Sequence, residues 1–209
     1  MKSSYRKEAC VENFEEASIA VDRGADQIEL CSLLNLDGCT PLLYDVVRCL
    51  DQLDVHTKAM IRPSVGSLSF HPPIEIYQMM KDDIIAMKDY QVEEVVFGLT
   101  TSDHRLDLRR IAQLRDLAYP MSVTIHKAID TSADILKDLH ALKELGGIKS
   151  VLTSGGHPTA MEGSSVLKEM ITIAGNEIEI IPAGKITPDN VEELHSALLA
   201  STYHGRKIV

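Results

Sequence analysis

The chain has 209 residues, 44% of them hydrophobic and 25% charged, with a formal net charge of −10, the make-up of one ordinary globular domain or two small ones. So acidic a balance argues against a nucleic acid or an anionic membrane as partner, since both select basic surfaces, and no run approaches the ~18 apolar residues of a membrane span. Four cysteines, at 10, 31, 39 and 49, do not make a disulfide framework, and the N-terminal MKSSYRKEACVEN lacks the apolar stretch of a signal peptide, so a reduced cytoplasmic protein is expected.

Short β-type runs alternate with amphipathic helical runs along the whole chain. A strand over 6–11 leads into a helix over 14–23, closed by Gly24. The second strand (27–31) precedes a helix over 42–53, the third (58–62) a helix over 74–90, and the fourth (94–98) a helix over 106–117. The fifth (122–126) is followed by a helix over 133–145 that ends at Gly146-Gly147. Helices over 165–174 and 188–199 follow the sixth (150–153) and seventh (179–182) strands, the last helix opening on Thr187-Pro188 as N-cap and first residue. An eighth strand over 201–204 has no helix after it. Such alternation predicts parallel strands joined by crossovers, and eight of them fit a single (β/α)8 TIM barrel better than an open doubly wound sheet. The groove left between the first and seventh helices, with Ile208 and Val209 at the chain tip, predicts an exposed apolar patch and a homodimer that buries it.

Strand side chains alternate between faces, so the residues pointing into the barrel can be read by parity. Ala9 and Val11, Ile28 and Leu30, Ala59 and Ile61, Val123 and Ile125, and Tyr203 form the helix-facing set. The opposite set holds Glu8, Cys10, Glu29, Cys31, Met60, Arg62, Thr124, His126 and His204. An ordinary barrel interior is dominated by Val, Ile and Leu. Buried charges must be paired, hydrated or bound to a ligand, and most of these lie at the C-terminal ends of their strands, where such barrels build sites. A structural Glu29–Arg62 ion pair is the plainer alternative.

At these residues the sequence resembles the copper homeostasis protein CutC family over essentially its whole length. The resemblance is carried by EACVEN, GADQIELC, MIRP, VVFGLT, VTIHKAID, VLTSGG, the turn in IPAGKIT and the terminal YHG, in that order and spacing. It implies a TIM barrel and a cytoplasmic role attached to copper handling. The family's proposed copper-binding cysteines fall at Cys10 and Cys31, and its shared polar residues at Glu8, Glu29, Arg62, Asp107, His126, Asp130 and His204. The chain departs from the family at Ser64-Val65-Gly66-Ser67, where Arg-Gly-Gly-Asp usually follows Arg62-Pro63. It also has Lys127 in place of Arg and lacks the C-terminal extension of longer members.

Two chemistries follow. Cu(I) prefers soft sulfur ligands; Cys10 and Cys31 share parity on neighbouring strands ~4.8 Å apart, with Met60 next to them. The alternative is an enzyme acting on a small anionic phosphate or carboxylate substrate. Glu8 or Glu29 would be its acid or base, Arg62 its anion clamp, and His126 its proton carrier, with His204 at the same mouth. Glycine turns after the sixth and seventh strands offer Ser154, Gly155, Gly156 and Gly184 as anion-binding residues. Lys58 points inward at the far end of its strand, which argues against a Schiff base at the mouth. A scaffold without turnover is a third reading. Cys49 fits a helix core beside Val46 and Leu50.

Overall fold

The computed structural model describes residues 5–63 and 69–209; the Ser64–Ser67 departure lies outside them. The strands are β1 (Arg6–Val11), β2 (Gln27–Leu30), β3 (His56–Met60), β4 (Glu94–Phe97), β5 (Ser122–Ile125), β6 (Ser150–Thr153), β7 (Glu179–Pro182) and β8 (Thr202–Gly205). They alternate with α1 (Phe14–Asp22), α2 (Leu43–Gln52), α3 (Ile74–Asp89), α4 (Leu108–Ala118), α5 (Ile135–Leu145), α6 (Ser164–Ala174) and α7 (Val191–Leu198). Every pairing is parallel, in the order β7-β6-β5-β4-β3-β2-β1-β8. The edge strands β7 and β8 meet across a seam closed by side chains. There Thr202 Oγ1 donates to Glu179 Oε1 at 2.6 Å, and Arg6 bridges the same two residues. The result is a TIM barrel.

Two boundaries differ from the sequence reading for local reasons. β3 stops at Met60 because the Arg62 N–H leaves the ladder and donates to Thr40 Oγ1 at 2.9 Å; Pro63, which has no N–H, follows. The seventh helix begins at Val191 and not at Pro188. The Thr187 N–H donates to Asn190 Oδ1 at 2.9 Å, tying the intervening residues into a turn. Beyond β2 and β5, Cys31 N still donates to the Val11 carbonyl and His126 N to that of Phe97. The strand alternation therefore persists through both residues.

Parity sorts the side chains as expected. Ala9, Val11, Ile28, Leu30, Ala59, Ile61, Val95, Phe97, Val123, Ile125, Val151 and Tyr203 join the helix faces in one core. Cys10, Cys31, Leu34, Met60 and Val96 form a separate small cluster inside the barrel, and Leu152, Ile181 and Ala183 another. Cys49 lies in the main core. At the chain tip the expectation needs correction: Ile208 is buried and Val209 packs against the main core, so neither is an exposed apolar tip. A groove of about 600 Å³ does run beside α1, lined by Ala9, Ile19, Ala20, Ile186 and Val209 together with charged residues.

Below the apolar clusters the interior is ionic. Lys58 Nζ lies 2.8 Å from Glu8 Oε2 and 3.2 Å from Glu94 Oε1, all three fully buried. Glu94 also accepts from Thr124 and pairs with His56 and Lys149. Burial opposes ionisation of Glu8, but the Lys58 and His204 charges outweigh it and hold its carboxyl down at about 2. Glu94, likewise buried, is held below the usual range by His56, Lys58 and Lys149. Carboxylates depressed on folding stabilise the fold above the ordinary value of 4.5, and that contribution is lost as pH falls through the folded values. Urea denaturation should therefore show stability falling below about pH 4.5. At neutral pH, Lys58→Met removes the cation that Glu8 and Glu94 share, leaving Glu8 to His204 and Glu94 to His56 and Lys149, and should cost at least about 2 kcal/mol. A cost below about 1 kcal/mol would contradict the bridging role.

Candidate metal and acid-base site at the barrel mouth

β1, β2 and β8 are neighbours, and each presents an inward polar side chain at its C-terminal end. Cys10 stands two residues beyond Glu8, Cys31 two beyond Glu29, and His204 lies in register with Glu8. Cys10 Sγ and Cys31 Sγ are 3.8 Å apart and both buried. One donor atom each from Cys10, Glu29 and Cys31 lies within 4.8 Å of the others, and Glu8, Glu29 and His204 form a second such trio. His204 Nδ1 is 2.8 Å from Glu8 Oε1, and its Nε2 is 3.4 Å from Glu29 Oε2. Glu29 Oε1 is buried without a hydrogen-bond partner among the described residues. Cys10, Glu29, Cys31 and His204 floor a cavity of about 460 Å³ that also touches Met60, Arg62, His126 and Gly184, while Glu8 lies beneath it.

Charge neutrality governs the protonation states. Burial opposes charge on His204, but hydrogen bonds to Cys10 and Glu8 and the nearby anionic groups raise it well above the ordinary histidine value. The hydrogen bond with Cys31, and then the contact with His204, lowers Cys10 to about 5 against the effect of burial. Cys31, as donor beside that thiolate and buried, is pushed up. Burial, followed by the Cys10 thiolate, lifts Glu29 to about 8. At neutral pH the floor therefore holds one thiolate beside a thiol, an imidazolium, and a carboxylic acid.

The remaining candidates have other partners. Arg62 does not pair with Glu29, which faces His204. Its Nη1 donates to the Leu36, Asp37 and Gly38 carbonyls at 3.1, 3.3 and 3.0 Å, tying down the loop after β2, and its guanidinium lies 5.1 Å from the Phe70 ring centre. His126 accepts from the Ala128 N–H through Nδ1 at 3.1 Å, and burial, then Arg62, lowers it to about 3, so it is neutral. Its ring needs Gly98, where a Cβ would come within 2.7 Å of Nδ1. Asp107 caps α4 through the Arg110 N–H at 3.0 Å and does not line the cavity. Asp130 accepts from the Ser154 and Gly156 N–H groups and the Ser154 and Thr153 hydroxyls, while the Gly155 N–H donates to Thr153. The glycine turn after β6 thus already holds an anion belonging to the chain; Gly184 lines the cavity itself.

Sequence reasoning missed the Glu94 partner of Lys58, although Glu94 shares the parity of Val96 inside the barrel. It also passed over Lys185 and Arg206, which line the cavity after β7 and β8; charged residues just beyond a strand read as ordinary loop.

The charge pattern has a direct chemical readout. Iodoacetamide should modify Cys10 ahead of Cys31, Cys39 and Cys49, since a lowered thiol is nucleophilic above its own pKa. Its rate, followed by peptide mass spectrometry, should rise with pH through a midpoint near 5, against 9.0 for an ordinary thiol. The His204→Gln variant should move the midpoint up. A midpoint above about 8 in the unaltered protein would contradict the arrangement.

Comparison with known proteins agrees with this architecture. The CutC family model matches residues 5–209. A CutC family protein of Histophilus somni is 37% identical over 187 residues, covering 90% of this chain and 76% of that one. The human copper homeostasis protein cutC homolog is 34% identical over 202 residues, 97% of this chain and 73% of that one. Among solved structures, the CutC protein of Streptococcus agalactiae superposes with a TM-score of 0.91 at 24% identity, covering 98% of this chain and all of that one. The chain belongs to the CutC family.

Proposed function

We propose that the protein binds Cu(I) through Cys10 and Cys31 and serves copper homeostasis, the role that the names of its human and mouse relatives carry. The observation behind this reading is the 3.8 Å separation of two buried thiols on the floor of an open cavity. That gap is shorter than two metal–sulfur bonds of about 2.3 Å placed end to end, so both sulfurs can reach one ion without backbone movement. One sulfur is already a thiolate, the form that ligates metal, and Met60 packs in the same cluster. A soft donor set of this kind suits Cu(I) above harder ions.

Cytoplasmic placement fits free thiols that need a reducing compartment. No helix among the described residues is long and apolar enough to cross a membrane. A homodimer would use the groove beside α1; light scattering at twice the chain mass would support it, and the single mass would remove it.

The second reading, acid-base catalysis on a small anion, is favoured by Glu29. Its carboxylic acid lies beside the His204 imidazolium with Oε1 unsatisfied, so it can hydrogen-bond or protonate a ligand oxygen.

Anaerobic competition titration with a Cu(I) chelator decides the first reading. The unaltered protein should take up one Cu(I) per chain, and Cys10→Ser/Cys31→Ser should bind it at least about a hundredfold more weakly. Equal affinity in the two proteins would remove these residues as the site.

A further inference from the structure

The rim of the mouth runs against the charge of the chain. The protein carries −10 overall, yet Arg62, Lys127, Lys185 and Arg206 all line the cavity. Of the acidic groups there, Glu29 and Asp37 belong to β2 and the loop after it, and Asp130 is enclosed by the Ser154 and Gly156 donors, with Lys127 3.7 Å away. The side formed by the loops after β7 and β8 is therefore positive.

Lys185 is held in an unusual backbone state. Its φ is +56°, directly after Gly184 at +105°, and a non-glycine residue adopts that left-handed region only when its surroundings enforce it. They do so here. The Gly184 carbonyl accepts from the Ala160 N–H at 3.0 Å, and the Lys185 carbonyl accepts from Asn190 Nδ2 at 2.9 Å. At Gly184 a Cβ would press on the Ser154 Cβ at 3.1 Å. On the neighbouring loop, Arg206 is steadied by donating to the Leu34 carbonyl at 2.9 Å. Two cations thus stand on the loops that follow the seventh and eighth strands, the place where barrels of this architecture hold phosphate groups. Across the cavity floor, buried Glu29 Oε1 has no hydrogen-bond partner among the described residues, although buried polar atoms as a rule have one.

We propose that the mouth is a binding site for a small organic phosphate, with its phosphate between Lys185 and Arg206 and a hydroxyl group on the Glu29 carboxyl. A cavity of about 460 Å³ is in the size range of small-molecule sites and far larger than an ion requires. The inference rests on the small-anion reading of this site and is independent of the copper reading: the cationic rim recruits an anion whether or not the thiols hold metal.

Calorimetric titration of reduced, copper-free protein tests it, with glycerol 3-phosphate and inorganic phosphate as probes at low ionic strength. Glycerol 3-phosphate should bind at least about fivefold more tightly than inorganic phosphate, through its hydroxyl groups. The Lys185→Gln/Arg206→Gln variant should lose at least about tenfold for both probes; both side chains are exposed, so its melting temperature should match that of the unaltered protein. Absence of binding, or unchanged affinity in the double variant, would overturn the proposal. Equal affinity for the two probes would overturn the Glu29 end of it.

Discussion

A lysine ammonium buried between two carboxylates is the constraint on which this barrel depends. Lys58 joins Glu8 to Glu94 in the interior, where hydrophobic packing fills most barrels. Its removal would leave Glu8 and Glu94 without the cation between them, in a medium that strongly disfavours poorly compensated charge. Since Glu8 spends one oxygen on Lys58 and the other on His204, the ionic layer reaches up to the mouth. His204 is held charged and oriented from below, and it then acts on both Cys10 and Glu29. Lys58 and Glu8, which do not line the cavity, thus set the chemistry of the mouth from beneath it.

This arrangement separates pairs of like groups. Two cysteines on adjacent strands would otherwise titrate alike; the hydrogen bond with Cys31, and after it His204, lowers Cys10, while Cys31 is pushed up. Two glutamates on the same strands diverge as well. Glu8 is ionised against Lys58, whereas Glu29, raised by burial and then by the neighbouring thiolate, retains its proton. Such divergence between neighbouring titratable groups is what acid-base and metal sites require. In binding metal, the Cys31 thiol gives up its proton, and the imidazolium below would balance the second thiolate. Above this floor the rim is cationic, so the mouth combines soft donors at depth with positive charge at its edge.

Much of this was legible in the sequence because a strand alternates strictly. Ala9 and Val11 had to oppose Glu8 and Cys10, and Ile28 and Leu30 had to oppose Glu29 and Cys31; the core clusters follow that division. Parity tells which way a side chain points but not which partner it meets. Glu29 and Arg62 have inward parity on neighbouring strands, but Arg62 lies past the end of β3 and turns to the loop carbonyls, leaving Glu29 to His204 from the far end of the sequence. The glycine turn after β6 was readable as an anion cradle. That the anion is Asp130, from the loop after β5, depends on a tertiary contact that spacing cannot reveal. The Ile208 and Val209 tip failed for a similar reason: apolar residues at the end of the sequence fold back onto the core.

The central claim is that the buried ionic layer holds His204 as an imidazolium. Nitrogen-15 NMR of the His204 ring measures this without perturbing the site. Both ring nitrogens are expected to remain protonated well above the ordinary histidine value of 6.5, with the Glu8→Gln variant, if it retains its fold, shifting toward the neutral ring, since it removes the carboxylate that pairs with His204. A neutral His204 ring at physiological pH in the unaltered protein would contradict the account.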